Sequence, residues 1–592
     1  IIMKYFLTVL LIFAFGLIYS KEPLMHYRLS FPEPHTHYVN IELEVKGIKE
    51  DHLLLKMPVW TPGSYLVREF ERFVEDVSVQ GNGQYLKVEK TDKNTWKVFT
   101  NALENVKINY KVYAFELSVR TSFIDDSHAF LNGASIFLYE PKSMHNPIRV
   151  TIDKPDNWEK ITTPLQMINE YTFEAEDFDM LVDSPFEIGN HEVYSFQAAG
   201  VTHEYAVYGP GNYNMDQVIN DTKAIVEAAT AVFEENPNDR YVFFLHNLES
   251  SSGGLEHKSS TALQVNRWTY EPRSSYLGFL GLVSHEYFHI WNVKRLRPVA
   301  LGPFNYDDEN YTTMLWVMEG FTSYYDELLL YRSGFYSEEA YLNKLNNSLN
   351  YVENQPGNKV QPVAMASFDA WIKAYRPHEN SSNTTISYYS KGSLIAMVLD
   401  LMIIHNSKGG KSLDHFMKYM YQRYYKEKDR GFTDEEFQEE LEKFVGHDLK
   451  DFYDQYIYGT ETLPYEKVFD YAGVAFGRQE ASNQELGIRM ENKDGKLVIT
   501  RVERGTAAYD DGLNVNDEIL AVDGYRASEK LVSKMIDEAK EGTTLKFLIS
   551  REGLITEIPV KLRKSNNISF NITKIDNMSK AQEKVYKIWL KK

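Results

Sequence analysis

The sequence predicts a multidomain α/β protein. An all-β domain comes first, then an α+β domain, an α-helical domain and a small C-terminal β-rich domain. Three observations predict this. The chain has 592 residues, too long for one core when domains run to about 100–200 residues. Its 43% apolar and 14% aromatic content is that of a folded chain. The period of its apolar residues also changes along the chain, from strand-like to mixed, to helical, and back to mixed.

The chain opens "IIMKYFLTVLLIFAFGLIYSKEP". Met3 and Lys4 precede an apolar run from Tyr5 to about Tyr19. The run is short for a spanning helix and fits a secretory signal, residues 1–20, cleaved near Ser20. An uncleaved anchor is the alternative. With no cysteine there is no lipobox, so the expected location is periplasmic or secreted, with no membrane attachment after cleavage.

Residues 21–196 form the expected all-β domain. "HYVNIELEV", "HLLLKMPVW", "LKVEK", "TWKVFT", "VKINYKVYAF" and "PIRVTID" are short alternating or apolar runs broken by Gly, Pro, Asn and Asp. Residues 197–336 mix the two periods. "DQVINDTKAIVEAATAVFEE" reads as a helix and "RYVFFLHNL" as a buried strand. "YLGFLGLVSHEYFHIWNV" and "TTMLWVMEGFTSYYDELLLYRSG" read as two further helices, the second stopped near Gly334.

Residues 337–470 read as helices, among them "SLIAMVLDLMIIHN", "LDHFMKYMYQRYY" and "DEEFQEELEKFVG". Residues 476–564 return to strands around one helix, "EKLVSKMIDEAKEG". Residues 565–592 form a tail whose end, "NMSKAQEKVYKIWLKK", has the pattern of a short amphipathic helix.

Charge and cysteine content exclude several functions. Basic residues number 64 against 84 acidic, a formal net charge of −20. That disfavours nucleic acid and anionic membranes as partners. The absence of cysteine removes disulfides and thiolate ligands, so a zinc ion must be held by His, Asp or Glu.

The segment "GLVSHEYFHIWNVKRL" puts His285, Glu286 and His289 inside an apolar helix. Residues four apart share a helix face, so both imidazoles can point at one ion. Glu286 lies about 100° round the helix, where it can take a proton from an ion-activated water. A hydrogen-bonded pair of core histidines is the plainer alternative. A catalytic zinc needs a third protein ligand. "LWVMEGFTSYY" supplies Glu319, flanked by apolar residues and 30 positions after His289. Asp307, Asp308 and Glu309 compete for that role from the polar loop "YDDEN".

HEYFH followed by W-x-x-E-G-F resembles the gluzincin metallopeptidases, and the order of domains resembles their glycyl aminopeptidase branch over nearly the whole mature chain. The resemblance implies a thermolysin-like fold for 197–336, a PDZ domain for 476–564 and one zinc ion per chain, held by His285, His289 and Glu319. "SSGGLEHKSS" stands where the family has a G-x-M-E-N loop, with Leu255 for Met and His257 for Asn. It implies that Gly253, Gly254 and Glu256 bind substrate, Glu256 capturing a free α-ammonium. "TISYYSKGSL" implies Tyr389 as oxyanion donor, with Tyr388 its confusable neighbour. "RVERGTAAYDDGLNVNDEILAVDG" is typical of bacterial PDZ units, and Leu486, Gly487 and Ile488, after Glu485, stand in the carboxylate-loop position.

The expected activity is therefore metal-assisted removal of N-terminal residues, with Glu286 and Tyr389 catalytic. The expected partners are peptides with a free N-terminus, and a peptide C-terminus at the PDZ domain. The branch implies a preference for glycine and alanine. Two alternatives stay open: a zinc endopeptidase, and an inactive PDZ-bearing peptide-binding protein.

Overall fold

Between residues 25 and 193 the apolar positions alternate, and the chain folds there into sheets. Tyr38–Lys46 buries Val39, Ile41, Leu43 and Val45 on one face, the period-two pattern of a half-buried strand. It pairs antiparallel with Asn105–Tyr113, Ile41 facing Tyr110. Its other neighbour, Met25–Ser30, runs antiparallel to it and parallel to Ile148–Asp153. These strands lie within an eight-stranded sheet, and two smaller sheets accompany it. One short helix, Phe178–Val182, is capped by the Asp177 side chain.

The computed structural model describes residues 25–591, so the expected signal at 1–20 lies outside it. The described chain divides into two compact units. One holds residues 25–62, 68–193 and 206–208, and the other holds 63–67, 194–205 and 209–591.

In the second unit Arg240–Leu248 (RYVFFLHNL) is buried along nearly its whole length, as a strand covered on both faces must be. Ser260–Asn266 lies parallel to it, and Gly253–Glu256 pairs antiparallel with Ser260–Asn266 as the edge of a five-stranded sheet. The helix Met215–Phe233 precedes these strands, and the helices Arg273–Phe288 and Gly320–Arg332 follow them. The expected helix through Val293 stops at Phe288, with His289 its C-cap. The next expected helix breaks into Leu315–Met318 and Gly320–Arg332.

Beyond Ser337, which caps Glu338–Glu353, the chain is helical. Tyr388–Asn406 is the central helix, and Leu394 to Leu399 are all fully buried. With the preceding turn it is long and apolar enough to cross a membrane by composition. A helix apolar all round is equally the signature of a protein core, and most of this one is buried within the fold.

The C-terminal β domain is an insertion. Val474–Glu480 pairs antiparallel with Ile568–Lys574, Phe476 facing Ile572, and this two-stranded neck brackets a six-stranded sheet packed on Leu486, Ile499, Val522, Phe547 and Val560. Position 476 therefore falls inside a strand. After the neck, the helix Lys580–Leu590 returns to the helical core. Its Trp589 is fully buried and donates from Nε1 to the Tyr324 hydroxyl at 2.9 Å.

Three asparagines dock the inserted domain and its neck. Asn350 and Asn354 lie one helical turn apart. Each donates to the carbonyl and accepts from the N–H of one residue in the neck strand, Phe570 and Ile568 respectively, at 2.8–2.9 Å. Asn383 donates to Val502 O and accepts from Arg504 N. An amide side chain has the donor and acceptor to complete a strand edge.

Candidate active site

His285 and Glu286 occupy the last turn of Arg273–Phe288, and His289 caps it. Each imidazole is held by its Nδ1. His285 Nδ1 is 3.0 Å from Asp326 Oδ2, and His289 Nδ1 donates to the Asn292 carbonyl at 2.7 Å. These bonds fix both rings with Nε2 facing inward. The two Nε2 atoms lie 3.4 and 3.3 Å from the same oxygen, Glu319 Oε2.

Glu319 reaches that point because the helix breaks at it. Asn292 Nδ2 donates to Val317 O and Met318 O, each at 3.0 Å, and ties the break to the HEYFH turn. Gly320 then lets Gly320–Arg332 and Tyr388–Asn406 meet backbone to backbone. An added Cβ on Gly320 would lie 2.5 Å from Gly392 Cα, and one on Gly392 would lie 2.8 Å from Gly320 Cα. The glycine of the Y-x-K-G pattern is thus a contact point. It sets Tyr389, three residues earlier, beside the histidines, with its ring centroid 6.1 Å from that of His285.

Glu286 is 5% exposed, and its Oε2 has no hydrogen-bond partner in the protein. A buried unsatisfied carboxylate oxygen is costly unless a ligand completes it. Gly254 makes the room, since an added Cβ there would overlap the Glu286 carboxylate. Glu256 is buried on the same edge strand. Gly63, at φ +85°, packs against it, and an added Cβ there would be 2.6 and 2.7 Å from the two carboxylate oxygens.

Two groups of metal-ligand atoms emerge among the described residues, each within 4.8 Å: His285, His289 and Glu319, and Glu256, Glu286 and His289. They share His289. Only the first brings two oriented imidazole nitrogens onto one carboxylate oxygen, so it is the better cation site. Asp307, Asp308 and Glu309 belong to neither. Their loop is tied to itself, through Asp307 N to Asn305 Oδ1 and Glu309 N to Asp308 Oδ1.

Burial and the charges of its neighbours set the protonation of this cluster. Burial works against a charged His285, but Asp326 and then Glu319 outweigh it and hold the ring well above the usual histidine value. Burial is likewise outweighed at Glu319, where His289 and His285 hold the carboxyl down at about 2. Burial pushes Glu286 up from the ordinary carboxylate range. Burial and then the Glu319 charge push the Tyr389 phenol well above 10, so it is a neutral donor. Tyr388 stacks on Tyr389 at 4.7 Å and is itself fully buried.

Of the expected site residues, His285, Glu286, His289, Glu319, Glu256, Gly254 and Tyr389 come together, and Gly253 is next to Gly254 on the edge strand. The sequence reading missed Asp326, Asn292 and Gly63. Asp326 had a signal, since it lies seven residues after Glu319 and so two turns along the same face. Gly63 had none, being far away in sequence.

In the C-terminal domain Gly487 takes φ +78°, and an added Cβ would overlap Thr506. Its carbonyl accepts from Glu503 N, and that of Leu486 accepts from Ala508 N. Ile488 starts the edge strand Ile488–Lys493. Ile488, Met490, Met535 and Ile536 are half-buried over the core. The Glu485 carboxylate is taken up by Ser565 and Asn567.

Residues 26–190 match the Peptidase M61 N-terminal domain, residues 278–395 the M61 glycyl aminopeptidase family and residues 484–562 the PDZ domain. A solved aminopeptidase N family protein from Idiomarina loihiensis is 30% identical with a TM-score of 0.88, over 96% of this chain and 100% of that one. An M1 zinc metallopeptidase from Deinococcus radiodurans is 14% identical with a TM-score of 0.49, over 74% and 94%. A probable CtpA-like serine protease of Staphylococcus haemolyticus is 28% identical over 170 residues; the match spans 28% of this chain and about a third, 32%, of that protein. The chain belongs to the M61 glycyl aminopeptidase family of metallopeptidases and has a C-terminal PDZ domain.

Proposed function

We propose that the protein is a zinc aminopeptidase that releases small N-terminal residues, glycine and alanine, from peptides. The observation that carries the reading is the position of Glu256. Its carboxylate is within 4.8 Å of a Glu286 oxygen and a His289 nitrogen, and it packs against Gly63. A carboxylate so placed can hold an α-ammonium one residue from the reacting carbonyl.

Two imidazoles and one carboxylate form a donor set that suits zinc with a coordination position left open. A zinc ion held by His285, His289 and Glu319 would supply Lewis acidity to the attacking water and the scissile carbonyl. Glu286 takes the proton of that water and delivers it to the leaving amine. Tyr389 donates its hydroxyl to the developing oxyanion. The edge strand at Gly253 and Gly254 has no side chains in the way of an extended peptide. Asp326 and Asn292 hold the histidine rings.

The PDZ loop at Leu486, Gly487 and Ile488, beside an open strand edge, supports binding of a peptide C-terminus. The N-terminal apolar run supports a periplasmic or secreted location. Digestion of a long unblocked peptide, followed by mass spectrometry over time, tests the activity. Loss of one N-terminal residue at a time is expected. Internal fragments would instead indicate an endopeptidase, and an intact peptide at full zinc loading an inactive binding protein.

A further inference from the structure

Gly254 packs against the Glu286 carboxylate and Gly63 against that of Glu256. A side chain on the first substrate residue needs another direction. Aromatic rings pack beside Gly63. Tyr65 is 2% exposed, two residues beyond Gly63. It packs edge-on against Trp371 at 5.6 Å and Tyr375 at 6.0 Å. Tyr375 donates its hydroxyl to the Gly63 carbonyl at 3.3 Å, so the rings and the glycine stop are one assembly. Tyr388, stacked on Tyr389, is buried too.

Resting on the aminopeptidase reading, we propose that Tyr65, braced by Trp371 and Tyr375, is the specificity-determining wall that limits the first substrate residue to a small side chain. The charges of Glu319 and Glu256 both bear on the Tyr65 hydroxyl and on that of Tyr388. Gly63 against Glu256 puts Tyr65, and Tyr389 beside His285 puts Tyr388, next to this cluster. A close-packed wall of this kind cannot yield to a leucine side chain without moving buried rings. The glycine and alanine preference then has a steric origin. It is not set by a charge or a hydrogen bond, and it needs no residue from the GGLEH loop.

The test is kcat/KM for leucyl- and alanyl-para-nitroanilide on zinc-loaded full-length protein, for wild type, Tyr65→Val, Tyr65→Phe and Tyr375→Val. Zinc content and thermal unfolding are followed alongside. Wild type is expected to favour alanyl over leucyl substrate by about ten-fold or more, the scale on which a pocket discriminates by size. Tyr65→Val is expected to raise the leucyl-to-alanyl ratio about ten-fold. Tyr65→Phe keeps the ring and leaves the ratio unchanged. Tyr375→Val raises it as well, and serves if Tyr65→Val does not fold. A wild type indifferent to size, or folded active variants with an unmoved ratio, would overturn the wall while leaving the aminopeptidase reading intact. A wild type that cleaves only N-blocked peptides would overturn that reading, and the wall with it.

Discussion

Gly320 and Gly392 touch through their backbones. An added Cβ on the first would lie 2.5 Å from the Cα of the second. The contact brings the helix after Glu319 against the helix that begins at Tyr388. Gly392→Ala is expected to force the helices apart, with overpacking costing about 1–3 kcal/mol. Chemical denaturation measures that loss. Activity should fall further than stability accounts for, because Tyr389 moves relative to His285.

Asp326 holds His285 at 3.0 Å. Asp326→Asn keeps the shape and removes the charge. Zinc affinity is expected to fall about 10–100-fold, read by competition with a chromogenic chelator. Unchanged affinity would mean that the helix alone orients the ring.

Metal uptake should release protons. In the metal-free protein the His285 and His289 rings are held above the usual histidine value, burial being outweighed by Asp326 and Glu319 at the first and by Glu319 at the second. A ring must be neutral to bind an ion. Affinity therefore weakens as pH falls through that raised range. Calorimetric titration in two buffers of different ionisation heat at pH 6 is expected to differ by the released protons, and equal heats would refute this. The stability sign at Glu319 is the reverse. Its carboxyl is lowered to about 2 from 4.5, so its contribution to the metal-free fold is present above pH 4.5 and lost as pH falls toward 2. Glu319→Gln should flatten the acid unfolding curve there.

The C-terminal helix belongs to the core. Trp589 is fully buried against Tyr324, Asp414 pairs with Arg332 at 3.0 Å and with Lys591 at 2.6 Å, and Tyr324 donates to Asp400. Trp589→Ala is expected to cost about 3–5 kcal/mol, measured by denaturant unfolding. Excising 481–567 and joining the neck strands with a short glycine linker should leave a folded protein. Truncation after 562 should not.

Much of this was legible in the sequence because it rests on local periodicity. The i, i+4 histidines, the apolar flanks of Glu319, the alternation in Tyr38–Lys46 and the Tyr388–Asn406 helix are all properties of neighbouring residues. The rest depends on chain separation. Gly63 meets Glu256 across about 190 residues, and the neck joins strands at 474–480 and 568–574. The helix through HEYFH was expected to run to Val293. It stops at Phe288 because Asn292 turns back to the Val317 and Met318 carbonyls, a partner no window of residues reveals. The tail's sequence shows an amphipathic helix, and amphipathicity shows that a face is buried but not against what.

The most direct test of the account is hydrolysis of alanyl-para-nitroanilide and its N-acetyl form by zinc-loaded wild type, Glu286→Gln and Glu256→Ala. Turnover of the free-amine substrate alone is expected, abolished in Glu286→Gln with zinc retained. In Glu256→Ala kcat/KM is expected to fall by about 10²-fold or more, as when a buried charge partner is removed. Equal cleavage of the acetylated substrate, or a Glu256→Ala protein as active as wild type, would contradict it.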